Sequence, residues 1–138
     1  MIRKDVLIDT NILIYGQKNT GDFYTKSVRI LQNLDYNLFL TSKNVSELFA
    51  VLTKHEKSWK LILAYFDDIK RNMKILYPDE QSLSIFKQLC SKYQPKGNQV
   101  FDMEIISIML ANNIDTVATF NYKDFKDIEE IRILDECL

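Results

Sequence analysis

Several chemistries are excluded by what this chain lacks. It has two cysteines, Cys90 and Cys137, and neither has a partner at C-x-x-C spacing, so a redox pair or a thiolate metal site is not indicated. Cys90 lies among helical apolar positions and Cys137 is next to the C-terminus, so both read as idle or buried thiols. The only histidine, His55, sits between Lys54 and Glu56 at the end of a helical stretch; a solvated helix end is expected there rather than a hydrolase triad. The three glycines are scattered and build no phosphate-cradling loop, which argues against a nucleoside triphosphatase. No apolar run reaches membrane-spanning length, and the first strand begins almost at once, leaving no room for a signal peptide; a cytoplasmic protein with no membrane partner is expected.

The chain has 138 residues, 46% hydrophobic and 27% charged, enough for one domain over 1–138 with its own core. Net charge is −1, but acids gather late: from Asp102 onward there are nine acids and three bases. A nucleic-acid-handling protein with this balance needs local basic patches and cations to offset the acids. Arg3, Lys4, Lys18, Lys26 and Arg29, or Lys54, Lys57 and Lys60, are the candidate patches.

Short continuous apolar runs recur at Val6–Ile8, Leu38–Leu40, Ile75–Tyr77 and Thr116–Thr119, with a fifth at Ile131–Leu134. Such runs mark strands buried on both faces. Between them lie helical patterns: Val28, Leu31 and Leu34; Val45, Leu48, Phe49 and Leu52; Leu83, Phe86 and Leu89; Ile105, Ile106, Met109 and Leu110. Strands alternating with helices predict an α/β domain around a mostly parallel sheet of four to five strands. Residues 59–66 are apolar nearly all round a helix, which fits either a helix caught between layers or a face turned to a second subunit or another protein.

Acids and amides stand at the junctions. Asp9 ends the first strand, Glu47 lies early in the helix after the second, Asp102 opens the helix before the fourth, and Asn121 and Asp124 follow the fourth. Each alone has a structural explanation. Asp9 or Asn11 can cap a helix, Asn44-x-x-Glu47 resembles a capping box, Asp102 can be an N-cap and Asn121 can make an Asx-turn. Together they weigh differently. In a parallel sheet, residues leaving strands and residues opening the helices that run back to the next strand share the carboxyl edge, where open α/β sheets place their ligands. Carboxylates gathered there repel one another, and oxygen donors without His or Cys suit Mg²⁺ or Mn²⁺. A metal-assisted phosphodiesterase is the natural class.

The motifs Leu7-Ile8-Asp9-Thr10-Asn11, Val45-Ser46-Glu47-Leu48, Val100-Phe101-Asp102 and Thr119 to Phe125 resemble, in order, those of the PIN domain family. Within it the chain is most similar to VapC-type toxins. The resemblance implies a three-layer α/β/α sandwich that cuts RNA with Mg²⁺ or Mn²⁺, leaving a 3′-hydroxyl and a 5′-phosphate. It places Asp9, Glu47 and Asp102 as catalytic acids and metal ligands. Thr10, Asn11 and Thr119 become hydrogen-bonding supports, joined by Asp124, which is close enough in sequence to compensate at the fourth position. Asn121 stands there as a metal ligand without charge, where many members have an acid, so a second ion should bind weakly. Phe101 precedes the third acid where relatives often have histidine. The resemblance further implies an RNA substrate, an antitoxin partner and a homodimer, with residues 59–66 as a candidate contact face. Competing readings are a housekeeping RNA-processing nuclease, a catalytically decayed binding module, and a phospho-acceptor domain. The last wants paired acids after the first strand, and this chain has one there.

Overall fold

The computed structural model describes residues 2–138. Five strands form one sheet in the order β3-β2-β1-β4-β5, with every pairing parallel. In chain order, β1 (Lys4–Ile8) leads through α1 (Thr10–Tyr15) and α2 (Asp22–Leu31) to β2 (Tyr36–Thr41). Two helices, α3 (Ser42–Lys54) and α4 (Trp59–Asn72), then precede β3 (Met73–Leu76). Next come α5 (Glu80–Tyr93), α6 (Gln99–Ala111), β4 (Thr116–Ala118), the short α7 (Tyr122–Phe125) and β5 (Arg132–Ile133), before a final 3₁₀ turn at Asp135–Cys137. The α/β/α sandwich expected from the sequence is present, with its sheet wholly rather than mostly parallel.

The central strand shows why the run Val6-Leu7-Ile8 has no polar gap. Successive side chains of a strand point to opposite faces. Val6 and Ile8 join one core with Ile12, Leu13, Leu48, Leu52 and Ile62 from the helices between β1 and β3. Leu7 joins the other, with Met103, Ile106 and Met109 of α6. All three strand residues are fully buried, because helices cover both faces. α6 is apolar nearly all round, as a helix wedged between the sheet and α5 must be.

Some expected faces are shifted. Leu34 is exposed: α2 ends at Leu31, so the apolar spacing ran past the helix. In α5 the inward positions are Ser82 and Leu89, with Ile85 and Phe86 half-buried, while Leu83 is exposed. A capping box between Asp79 and Ser82 sets that phase by turning Ser82 inward. Over residues 59–66 only Ile62 is buried; Trp59, Leu61 and Leu63 are exposed, so α4 lies on the surface instead of between layers. His55 is the exposed C-cap residue of α3. Both cysteines are free, and burial pushes the Cys137 thiol up to about 11. Among the described residues no helix is long and apolar enough to cross a membrane.

Candidate active site

The strand order places β1 beside β4, and the chain winds away from that pair in opposite directions. This is the switch point of the sheet, where the loops leaving both strands open a crevice. Asp9 follows β1 directly, and its backbone N–H donates to Ala118 at the end of β4 at 2.9 Å. Its side chain is buried, with 6% of the residue exposed.

Four donors surround the Asp9 carboxylate. Oδ1 accepts from the Thr10 backbone N–H at 2.8 Å and, more weakly, from Asn44 Nδ2 at 3.5 Å. Oδ2 accepts from Thr119 Oγ1 at 2.8 Å and from Asn11 Nδ2 at 3.2 Å. The donors are held in turn. Asn11 Oδ1 accepts from the Phe120 N–H at 3.2 Å, and Thr119 Oγ1 accepts from the Asn121 N–H at 3.0 Å. Asn11 Nδ2 also reaches Thr119 Oγ1 at 3.2 Å, which ties the ends of β1 and β4 together. Thr10 thus meets the Asp9 carboxylate through its backbone N–H, and Asn11 and Thr119 through their side chains. Burial still dominates: it pushes the Asp9 carboxyl above its ordinary range, the donors only partly oppose this, and Asp124 adds repulsion.

The capping explanations fare unevenly. Asp9 does cap α1 through Thr10 N–H. Glu47, however, caps nothing. The box at the start of α3 is Thr41 with Asn44: Asn44 N–H donates to Thr41 Oγ1 at 3.1 Å, and Thr41 N–H donates back to Asn44 Oδ1 at 3.1 Å. Glu47 lies beyond it, half-buried, with Oε1 buried and without a hydrogen-bond partner. Asp102 is not an N-cap either, since α6 starts at Gln99 after Asn98 and Asp102 is in its first turn. Asn121 occupies the cap position of α7 without a side-chain cap bond.

Freed of those duties, Glu47, Asp102, Asn121 and Asp124 line one cleft of about 470 Å³, with Lys43 and Phe101 beside them. Burial raises the Asp102 carboxyl to about 7, with further repulsion from Asp9, Asp124 and Glu47. Glu47 is raised by burial and by Asp9 and Glu104, against the opposing charge of Lys43. The sequence-derived acids thus share one electrostatic field. Repulsion reaches farther than ligation, though: among the described residues no group of three His, Cys, Asp or Glu side chains is already gathered as a metal-ligand set. The donor chemistry nonetheless fits a hard divalent cation. The donors are carboxylate oxygens, they are partly desolvated and mutually repelling, and one buried oxygen of Glu47 has no partner.

Lys43 and Glu104 were not singled out from sequence, and Asn44 was noted only for its box-like spacing to Glu47. Asn44 carries the least obvious role. Besides closing the Thr41 box, its Nδ2 donates to Thr10 Oγ1 at 3.1 Å and reaches Asp9, so the start of α3 is pinned to the start of α1. Two overlapping box-like spacings, Thr41-x-x-Asn44 and Asn44-x-x-Glu47, are its sequence signals, and the structure uses the first, with an amide where Glu or Gln is usual. Asn44→Ala should lower stability by about 1–3 kcal/mol, because it removes a cap partner and leaves buried groups unsatisfied. It should also weaken divalent-cation binding about tenfold or more. Urea unfolding and a cation titration read the two effects; loss of the first without the second would confine Asn44 to capping.

A family model described as PIN domain matches residues 6–131. No curated protein matches the chain. Among solved structures, VapBC-1 from nontypeable Haemophilus influenzae is similar at 23% identity and a TM-score of 0.76, over 97% of this chain and 99% of that one. VapBC2 from Rickettsia felis, bound to a DNA fragment from their promoter, is 21% identical with a TM-score of 0.74, over 94% and 97%. VapC20 from Mycobacterium tuberculosis, a sarcin-ricin loop cleaving toxin, is 11% identical with a TM-score of 0.68, over 92% and 98%. At these identities the likeness bears on the fold.

Proposed function

The chain belongs to the PIN domain family, and on that premise we propose that it is a single-domain Mg²⁺- or Mn²⁺-dependent endoribonuclease, the toxin of a type II toxin–antitoxin pair. One observation carries the nuclease reading. Glu47, Asp102 and Asp124 line the same cleft at the carboxyl edge of the sheet, Asp9 lies within their field, and Glu47 holds a buried oxygen without a partner. Such an arrangement raises the cost of the folded protein unless a cation offsets it.

Asp9, Glu47 and Asp102 would hold the ion, with the Asn121 carbonyl as a neutral fourth donor. A bound Mg²⁺ or Mn²⁺ supplies polarisation of the phosphate and acidification of water. The remaining work falls to the chain. On Asp9, the 3.5 Å contact from Asn44 is the weakest of four, so Oδ1 is the less firmly held oxygen, and Asn44 acts on the site mainly by pinning α3 to α1 through Thr10 Oγ1. Thr119 and Asn11 fix Oδ2 and with it the plane of the carboxylate. A carboxylate of the cleft takes the proton of the attacking water as its oxygen bonds to phosphorus and the P–O3′ bond breaks. The 3′ oxygen then takes a proton from solvent, leaving a 3′-hydroxyl and a 5′-phosphate.

The toxin assignment rests on the company the fold keeps, since the similar structures include a toxin–antitoxin complex and a member of the VapBC family of toxin–antitoxin systems. The exposed Trp59, Leu61 and Leu63 offer apolar surface for an antitoxin or a second copy of the chain. A cytoplasmic location follows from the same assignment. The test is incubation with 5′-labelled single-stranded RNA. Cleavage in Mg²⁺ or Mn²⁺, its loss in EDTA and a 3′-hydroxyl end on the labelled fragment are the expected results; cleavage indifferent to EDTA, or a 2′,3′-cyclic phosphate end, would overturn the reading.

A further inference from the structure

Among the described residues, Phe101 is the aromatic side chain that lines the acidic cleft. It precedes Asp102 in the first turn of α6. It belongs to neither core and is 46% exposed. The ammonium of Lys43, from α3, lies 4.2 Å from its ring centroid. An exposed cation–π contact of this kind is a modest gain and does not explain keeping a large apolar ring at the mouth of a polar cleft. Lys43 stands one helical turn before Glu47 and tempers the repulsion there. Of the cleft's charged side chains among the described residues it is the cation, against Glu47, Asp102 and Asp124.

A polyanion entering this cleft meets three acids. What could hold it is a surface for its uncharged part and a cation for its phosphates. Nucleobases present flat π-faces that stack on aromatic rings whatever their sequence, and lysine is a mobile point charge for phosphate. From the pairing of Phe101 with Lys43 at the edge of the acids, we infer that they form a nucleotide subsite. The ring stacks a base of single-stranded RNA next to the scissile phosphate, and the Lys43 ammonium binds a neighbouring phosphate. The subsite positions the strand and takes no part in bond breaking. It rests on the nuclease reading above, and it makes the preferred substrate an unpaired segment, because a base stacked within a duplex cannot offer its face.

The test uses a single-stranded RNA of mapped cleavage site, together with versions abasic at each nucleotide flanking that site. Steady-state cleavage and equilibrium binding by fluorescence anisotropy are read in parallel, in Mg²⁺. For the parent, one abasic position should raise KM and Kd roughly ten- to a hundredfold, with kcat little changed. Phe101→Ala should show that same loss on intact RNA and be indifferent to the abasic position. Phe101→Leu, which keeps apolar bulk without a π-face, should behave like the alanine variant, whereas Phe101→Trp should retain tight binding. Lys43→Gln should reduce the slope of log K against log salt by about 0.7. Recovery of the parent KM by Phe101→Leu would make the ring mere filler and overturn the inference, as would losses from Phe101→Ala and the abasic position that multiply instead of overlapping. A parent that binds RNA with this pattern but does not cleave it overturns the nuclease reading alone; a parent that neither binds nor cleaves overturns both.

Discussion

Asp9→Asn should lower RNA cleavage by more than about a hundredfold, a loss at least as large as removing a group that merely supports a metal ligand, while the protein stays folded. The side chain at position 9 is met only by donors: the Thr10 N–H, Asn44 Nδ2, Asn11 Nδ2 and the Thr119 hydroxyl. An asparagine brings one donor of its own into that ring. Asn11 cannot turn to accept it without losing the Phe120 N–H on its Oδ1, and Thr119 Oγ1 already accepts from Asn11 and Asn121. The mismatch costs about 1–3 kcal/mol. Against it, the substitution removes a carboxyl group that burial disfavours in its charged form. The two effects oppose each other, so metal-free melting should move by only a few degrees although activity is lost. Circular dichroism and single-turnover cleavage separate the outcomes; an unfolded variant would show the donor ring to be structural first, and undiminished cleavage in Mg²⁺ would remove Asp9 from the reaction.

Divalent cation should act on stability in a pH-dependent way whose sign the cleft sets. Asp102 is raised from an ordinary 3.8 to about 7 in the folded protein, chiefly by burial and then by Asp9, Asp124 and Glu47. Between those values the folded state binds more protons than the unfolded chain, so metal-free stability must fall as pH rises. The contribution is complete below about pH 4 and is lost on passing through pH 7. Asp9 and Glu47, both raised, add in the same direction. Glu130, lowered by Tyr93 and Lys92 despite some burial, opposes them, but it lies in the turn before β5, bonded to the end of α5 and outside the cleft. A cation prefers the ionised acids, so in its presence the slope should flatten or reverse. At a Mg²⁺ concentration one hundred times its Kd, the stabilisation is about 2.7 kcal/mol, which for a chain of this size is a rise in melting temperature of roughly 10 °C. The gap between Mg²⁺ and EDTA melting curves should therefore widen from pH 5 to pH 7.5. A constant gap, or none, would separate the carboxylates from any shared ion.

The strands were legible because burial on both faces leaves no polar alternation, as Val6-Leu7-Ile8 shows; parallel order followed from the helices between the strands. The short α1 and α7 were not legible, since six and four residues are too few for a period of 3.6 to declare itself. Caps were the weakest inference. Asn44-x-x-Glu47 has a box-like spacing, but the true cap one turn earlier, Thr41, takes Asn44 and leaves Glu47 free for the cleft. Asp102 was misplaced as a helix start because α6 begins three residues sooner, on a loop end without a capping side chain. Topology pointed to Glu47 and Asp102, which line the cleft, and equally to Asp9, which is not among the lining residues and acts on them through its charge. The Lys43–Phe101 pair could not, as it joins two helices distant in sequence and leaves no local pattern.

The central claim is that Asp9, Glu47 and Asp102 close on one divalent cation. Mn²⁺ titration followed by the electron paramagnetic resonance signal of free Mn²⁺ tests it without reference to activity. The parent should take up one tightly bound ion per chain, and Asp9→Asn and Asp102→Asn should each lose it while remaining folded. Uptake of the same ion with unchanged affinity by both variants would contradict the account.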